Sequence, residues 1–227
     1  MKTIISVIMF LMMTTLSYSN DIYVTQSGNA LDLDITQDGE NNTVGNSTTA
    51  SASAGVTTIL NIDQIGDSNV ITYQINGATY TGVINLVGNS NNVDLNCDST
   101  GGNSSCGTAN AVINFTGNSN DIDLDIGQTS SANTADVDIV GQSGSDSNVV
   151  AATVDGNSAV LTITVNGDTN NYLIDIDGNG DSVGHTLIHS HTGGIADVDI
   201  IQSGTNDNMI TLTTSGDNAD IDMSQTD

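Results

Sequence analysis

From residue 20 onward, aliphatic side chains alternate with polar ones, and glycine-led turns cut the alternating runs at regular steps. Gly66, Gly77 and Gly88 are 11 residues apart, as are Gly156, Gly167 and Gly178, and Gly28 and Gly39 keep the same step. A two-residue period belongs to a strand, whose successive side chains point to opposite faces. Eleven residues suit one strand of roughly six or seven residues plus a turn of four or five. Two such units make a layer of about 22 residues that cannot bury its apolar face alone and must stack on its neighbours. No long stretch past the first segment has the 3.6-residue apolar period of a helix. The expected fold is therefore all-β, a β-solenoid of stacked strand–turn–strand repeats of about 22 residues.

One register rule sorts the side chains. The residue three after each turn glycine opens an inward set that continues at every second position. After Gly117 this set is Asn120, Ile122, Leu124 and Ile126; after Gly167 it is Asn170, Tyr172, Ile174 and Ile176. After Gly156 it is Ala159, Leu161, Ile163 and Val165; after Gly28, Leu31, Leu33, Ile35 and Gln37; after Gly216, Ala219, Ile221, Met223 and Gln225. Gly39, Gly66 and Gly88 head further turns, and the turns after Gly144 and Gly204 need one extra residue for the rule to hold. Asn42, Asn69, Asn91, Asn120 and Asn170 fall on the first inward site. Gln26, Gln37, Gln64 and Gln202 fall two before a glycine, and Gln225 shares their inward parity. Amides stacked in register bond up and down a ladder, whereas an unpaired buried amide is costly. The repeated parity favours such a ladder over ordinary turn-flanking polar residues.

The first segment has different chemistry. Lys2 precedes an apolar run from Ile4 to Met13, and Ser17-Tyr18-Ser19 offers small residues before Asn20. This is the pattern of a secretory signal peptide over residues 1–19, too short in its apolar part to span a bilayer comfortably. Residues 20–227 then form the repeat domain. Lys2 is the only Lys or Arg, set against 27 Asp and Glu, for a formal net charge of −26. Such a surface repels phosphate backbones, which excludes nucleic acid as a partner, and attracts cations. Cys97 and Cys106 bound a polar stretch; in an oxidising compartment they would join as a disulfide stapling a loop near 97–106, two free thiols being the alternative.

The strings Val24-Thr25-Gln26-Ser27-Gly28-Asn29-Ala30, Ile35-Thr36-Gln37-Asp38-Gly39-Glu40-Asn41-Asn42 and Ile62-Asp63-Gln64-Ile65-Gly66-Asp67-Ser68-Asn69 resemble the curlin repeat, Gln-x-Gly-x-x-Asn. Residues 23–77 and 196–225 match best, and the middle matches in period more than in residues. The resemblance implies a β-solenoid, export through an outer-membrane secretion channel, a nucleator partner, and homopolymeric functional amyloid fibres at the cell surface. Many inward glutamines are replaced here by Ile, Leu or Val, and the Cys-bounded stretch interrupts the array.

The outward positions suggest two further ladders in the last third. Thr162 and Thr164, Thr186, and Thr211 and Thr213 alternate along the chain with Asp175 and Asp177, Asp197 and Asp199, and Asp220 and Asp222. These aspartates are the candidate ligands for weakly bound calcium, which accepts carboxylate oxygens in flexible geometry; a solvated acidic face is the alternative. His185, His189 and His191 share inward parity, where no carboxylate completes a metal set. No nucleophile–base constellation, phosphate loop or dinucleotide fingerprint stands out, so no enzyme is expected. The repeat runs from Val24 to Gln225 without polar caps or a proline, which favours a fibre subunit growing through open edge strands. The rivals are an ice-binding β-solenoid with an outward threonine wall, and a cation-dependent adhesin or viral appendage component.

Overall fold

The structure, a computed structural model, describes residues 21–27, 30–39, 42–45, 51–66, 68–97, 106–127, 134–155, 158–177, 185–204 and 208–226. The signal segment 1–19, Gly28, Gly156 and the stretch 98–105 lie outside the described residues, as do the side chains of Gln26 and Asp177.

Among the described residues every regular element is a strand. In chain order these are β1 (Asp21–Ile22), β2 (Thr25–Ser27), β3 (Ala30–Asp38), β4 (Thr43–Val44), β5 (Ser51–Ile65), β6 (Val70–Val87), β7 (Asn92–Cys97), β8 (Thr108–Thr116) and β9 (Asp121–Ile126). They continue with β10 (Thr134–Gly141), β11 (Val149–Asp155), β12 (Ser158–Asn166), β13 (Asn170–Asp177), β14 (Thr186–Thr192), β15 (Ile195–Ser203), β16 (Met209–Ser215) and β17 (Asn218–Thr226). All pairings are parallel, and each strand pairs with one a full turn of chain away, as in a β-solenoid.

The strands stack into two walls. β1, β2, β4, the first parts of β5 and β6, then β7, β9, β11, β13, β15 and β17 form the first wall. β3, the later parts of β5 and β6, then β8, β10, β12, β14 and β16 form the second. β5 and β6 run through the join between the walls, where Gly55 lies opposite Gly77. Gly77 thus lies in this join, whereas Gly66 and Gly88, 11 residues to either side, lie where the second wall returns to the first.

The rung is longer and less constant than 22 residues. Rungs lie about 26 residues apart, with steps of 22 between Asn69 and Asn91 and 29 between Asn91 and Asn120. The surplus enters where strands of the first wall pass to the second, and in 45–50 between β4 and β5.

Alternation then builds the core. In β9, β10 and β12 the burial pattern alternates residue by residue, with Ile122, Leu124, Ile126, Val137, Ile139, Leu161 and Ile163 buried. β-branched side chains suit these positions because they pack along a pleated surface. Tyr73, Tyr80, Phe115 and Tyr172 are fully buried among them. A fully buried aliphatic side chain contributes about 1.5–3 kcal/mol relative to exposure, so the interior column outweighs the surface terms.

Candidate functional site

The corner joining the second wall to the first is built alike in successive rungs. Gly39, Gly66, Gly88 and Gly117 take φ values of 130°, 139°, 148° and 122°. Two residues on, Ser68, Ser90, Ser119, Ser147 and Thr169 sit in the left-handed region with φ between 57° and 66°. At Gly117 conformation is only half the constraint, because a Cβ there would run into the Gly88 carbonyl one rung away. Gly167 and Gly216 occupy the same corner and meet the same obstacle, at the carbonyls of Ser145 and Gly193.

From Asn42 to Asn170 the asparagine closing the turn is buried and links rungs, whereas Ala196 and Ala219 close the last two turns. The N–H of Asn42 donates to Asn69 Oδ1 at 3.2 Å, Asn69 N–H to Asn91 Oδ1 at 3.0 Å, and Asn91 N–H to Asn120 Oδ1 at 3.0 Å. The series continues from Asn120 N–H to Asn148 Oδ1 at 2.8 Å and from Asn148 N–H to Asn170 Oδ1 at 3.0 Å. The amide nitrogens of Asn42, Asn69, Asn120 and Asn170 donate back to the carbonyls of Gly39, Gly66, Gly117 and Gly167. The ladder thus runs mainly from side chain to backbone, differing from the amide-to-amide stack expected. Asn148 is a member that the simple register rule passes over, because Ser145 takes the place of the corner glycine beneath Gly167 and shifts the turn by one residue. On the rim a second ladder runs the other way. Asn118 N–H donates to Asn89 Oδ1, Asp146 N–H to Asn118 Oδ1, Asp168 N–H to Asp146 Oδ1, and Gly194 N–H to Asp168 Oδ1.

The glutamines do not form one continuous ladder. Gln64 Nε2 donates to Gln37 Oε1 at 2.7 Å in the second wall, and Gln225 Nε2 donates to Gln202 Oε1 at 3.2 Å in the first. Gln64 is followed in register by Leu86, and Gln202 is preceded by Ile176. Gln26 lies in β2 opposite Ser53. The amide pairs therefore occupy the two ends of the stack.

Outward columns also differ from the expectation. Asp197 stacks on Asp220 and Asp199 on Asp222, but Asp175 lies opposite Ile201 and Thr153, and Asp177 opposite Ser203. Thr162 and Thr211 lie opposite Ile188, whereas Thr186 lies opposite Val160 and Met209. Thr164 and Thr213 share a hydroxyl column through Ser190, so the threonines gather on the second wall and the aspartates on the first, but Ile188 interrupts one column and Ile201 the other. A threonine column does run through Thr57, Thr79, Thr108 and Thr134.

Elsewhere amides separate the charges. Asn61 Nδ2 donates to Asp34 Oδ1 at 2.8 Å, Asn85 Nδ2 to Asp63 Oδ1 at 2.6 Å, and Asn96 Nδ2 to Asp125 Oδ2 at 3.2 Å. Carboxylates crowd most around Asp94 and Asp123. Partial burial, then the neighbouring Asp125, raises both above the ordinary carboxylate value, with Asp94 and Asp121 adding to the effect at Asp123. Among the described residues no three His, Cys, Asp or Glu side chains are grouped to hold a metal ion.

Cys97 and Cys106 are joined as a disulfide with Cα atoms 5.8 Å apart, and both are fully buried at the end of the first wall. His185, His189 and His191 point inward and are buried. His185 Nδ1 accepts the N–H of Ala159 at 3.1 Å. Tyr172 Oη lies 2.9 Å from His191 Nδ1, and its ring meets His189 edge-on at a centroid distance of 4.4 Å.

The last rung contrasts with those beneath it. β16 and β17 pair on one side only among the described residues, with β14 and β15. Their inward-parity residues Ile210, Leu212 and Ile221 are half-buried and Met223 is 54 % exposed, although Ile200 beneath Met223 is buried.

These features define a class, a β-solenoid repeat protein with an asparagine-laddered corner. Compared with protein-family models, curated proteins and solved structures, the chain matches none.

Proposed function

We propose that this protein is the structural subunit of a secreted, curli-like functional amyloid fibre, serving adhesion or a biofilm matrix and assembling end to end. The observation that carries the reading is the half-covered last rung. β17 presents unpaired backbone groups along a whole strand, with Ile221, Met223 and Gln225 on its inward parity. At the other end Ile22 of β1, Val24 between the strands and Gln26 of β2 follow the same two-residue spacing. A second copy placed with Ile22 over Ile221 continues the first-wall register across the junction, with the Gln26 position of β2 over Gln225. A nucleator and a secretion channel are the further partners this reading implies. Catalysis plays no part in it, and the outward aspartates act as a diffuse cation-attracting face with calcium as a weak ligand.

The test is assembly. The chain from residue 20, incubated at high concentration, is expected to form unbranched fibres that bind amyloid dyes and diffract near 4.7–4.8 Å. Ile221→Pro removes a ladder donor and an inward side chain together, so the monomer should keep most of its β-signal while elongation stalls. A chain that stays monomeric for days, or a proline variant extending wild-type seeds at the wild-type rate from both ends, defeats the end-to-end reading.

The ice-binding alternative draws on the column Thr57, Thr79, Thr108 and Thr134. The adjacent column reads Ile59, Thr81, Asn110 and Asp136, which gives no second rank of hydroxyls. Thermal hysteresis by the soluble monomer would favour that alternative.

A further inference from the structure

β14 differs from every other described strand in its interior chemistry. Its inward positions Leu187, His189 and His191, with His185 just before it, include all three histidines of the chain. His189 is stacked between Ile163 of β12 and Leu212 of β16, and His191 between Val165 and Thr214. Across the interior, Tyr172 of β13 contacts both rings, with centroids 4.4 and 5.8 Å away. Tyr172 is itself stacked on Val198 of β15. Neither ring nitrogen of His189 has a hydrogen-bond partner among the described residues, nor does Nε2 of His191. This pocket of the core accepts neutral imidazole and offers nothing to a second ring proton.

We propose that Tyr172, His189 and His191 form a proton-sensitive latch that holds the C-terminal rungs closed at neutral pH and releases them in mild acid. The ionisable groups bearing on the pair are few. Tyr172 shares a hydrogen bond with His191, burial raises its own pKa, and the Asp168 carboxylate in the adjoining corner favours protonated His191. β12, β15 and β16 contribute only aliphatic side chains and Thr214 to these contacts. Burial, then repulsion from His191, lowers His189 to about 4, and burial also lowers His191.

The sign follows by linkage. An exposed histidine titrates near 6.5, so the open state binds protons first. Latch stability is fully present above about 6.5 and is lost as pH falls toward about 4, a change of roughly a hundredfold in the opening equilibrium for His189 alone. Asp94 and Asp123 act in the opposite direction. Their pKa values are raised in the folded chain, so protonation favours the fold around β7 and β9 as pH falls.

Hydrogen exchange on the monomeric chain, corrected for intrinsic rate, separates the two regions without any fibre forming. Between pH 6.5 and 4, β14 to β17 should lose protection while β5 to β9 keep theirs. His189→Leu, which continues the aliphatic stack of Ile163 and Leu212, should abolish most of that loss. Equal loss in the variant, or no loss confined to β14–β17 in the wild type, overturns the latch. If His189→Leu does not fold, an NMR titration of the wild-type histidines decides: a folded His189 that titrates near 6.5 overturns the proposal, and one well below supports it.

Discussion

The two corners of the solenoid are built on different rules. At the glycine–asparagine corner, successive rungs repeat one four-residue path, with left-handed serine or threonine and a buried asparagine at matching places. The opposite corner keeps no common length. There the chain passes from Cys97 to Thr108, from Ile126 to Thr134 and from Asp177 to Thr186 before the next strand begins. Around it the described contacts are individual, such as the Cys97–Cys106 disulfide and the acceptance of the Ala159 N–H by His185. A corner whose backbone bonds run through its neighbours above and below must copy them. The opposite corner shows no such shared path among its described residues, and the spread of rung lengths collects there.

The comparison predicts a graded set of responses. The largest should come from Gly117→Ala, which adds a Cβ against the Gly88 carbonyl at a φ of +122°. A loss of about 3 kcal/mol or more is expected by denaturant unfolding. Gly39→Ala, with no atom within 4 Å of the added Cβ, is the control and should carry the backbone strain alone. Similar losses at both sites would show that rung-to-rung contact does not constrain this corner.

Next is Asn120→Ala. It removes the acceptor of the Asn91 N–H and the donor to the Gly117 carbonyl, leaving buried polar groups unpaired at a cost of about 2–3 kcal/mol. A change under about 0.5 kcal/mol, the range of an ordinary surface substitution, would mean that the ladder is ornamental.

The smallest effect is expected at the opposite corner. Lengthening the connection from β9 to β10 by four Gly and Ser residues should cost about 0.5 kcal/mol or less, since loop entropy grows slowly with length. The same insertion between Gly117 and Asn120 should be far more damaging. If both insertions are equally harmful, the distinction between the corners fails.

Parity was the legible part of this fold. Stepping by two from each glycine places Ile122, Leu124, Ile163 and Tyr172 inside, because a strand leaves only two directions for a side chain. It also brings Asn42, Asn69, Asn91, Asn120 and Asn170 to one line, since the corner that precedes them has constant length. Column membership was not legible. In the second wall, whether Thr186 stacks on Thr162 or on Val160 depends on how many residues the variable corner takes up, and the alternation is silent on that. Asn148 reaches that line only through the extra residue in the turn after Gly144, where Ser145 stands at the corner beneath Gly167. Partners of the buried amides were beyond reach too, because a backbone N–H and a side-chain carbonyl serve equally well as rungs of a ladder.

Rung spacing has an electrostatic consequence for the molecule as a rod. With about 26 residues to a rung, the 27 carboxylates of residues 20–227 average about 3.4 per rung, or one for each ~1.4 Å of axis at a spacing of about 4.8 Å. Duplex DNA carries one charge per about 1.7 Å and holds a condensed sheath of counterions for that reason. The solenoid is a polyanion of similar linear density with a β-sheet backbone in place of a phosphate one. Polyamines and basic peptides should associate with its flanks by displacing that sheath, and the logarithm of their affinity should fall linearly with the logarithm of salt concentration.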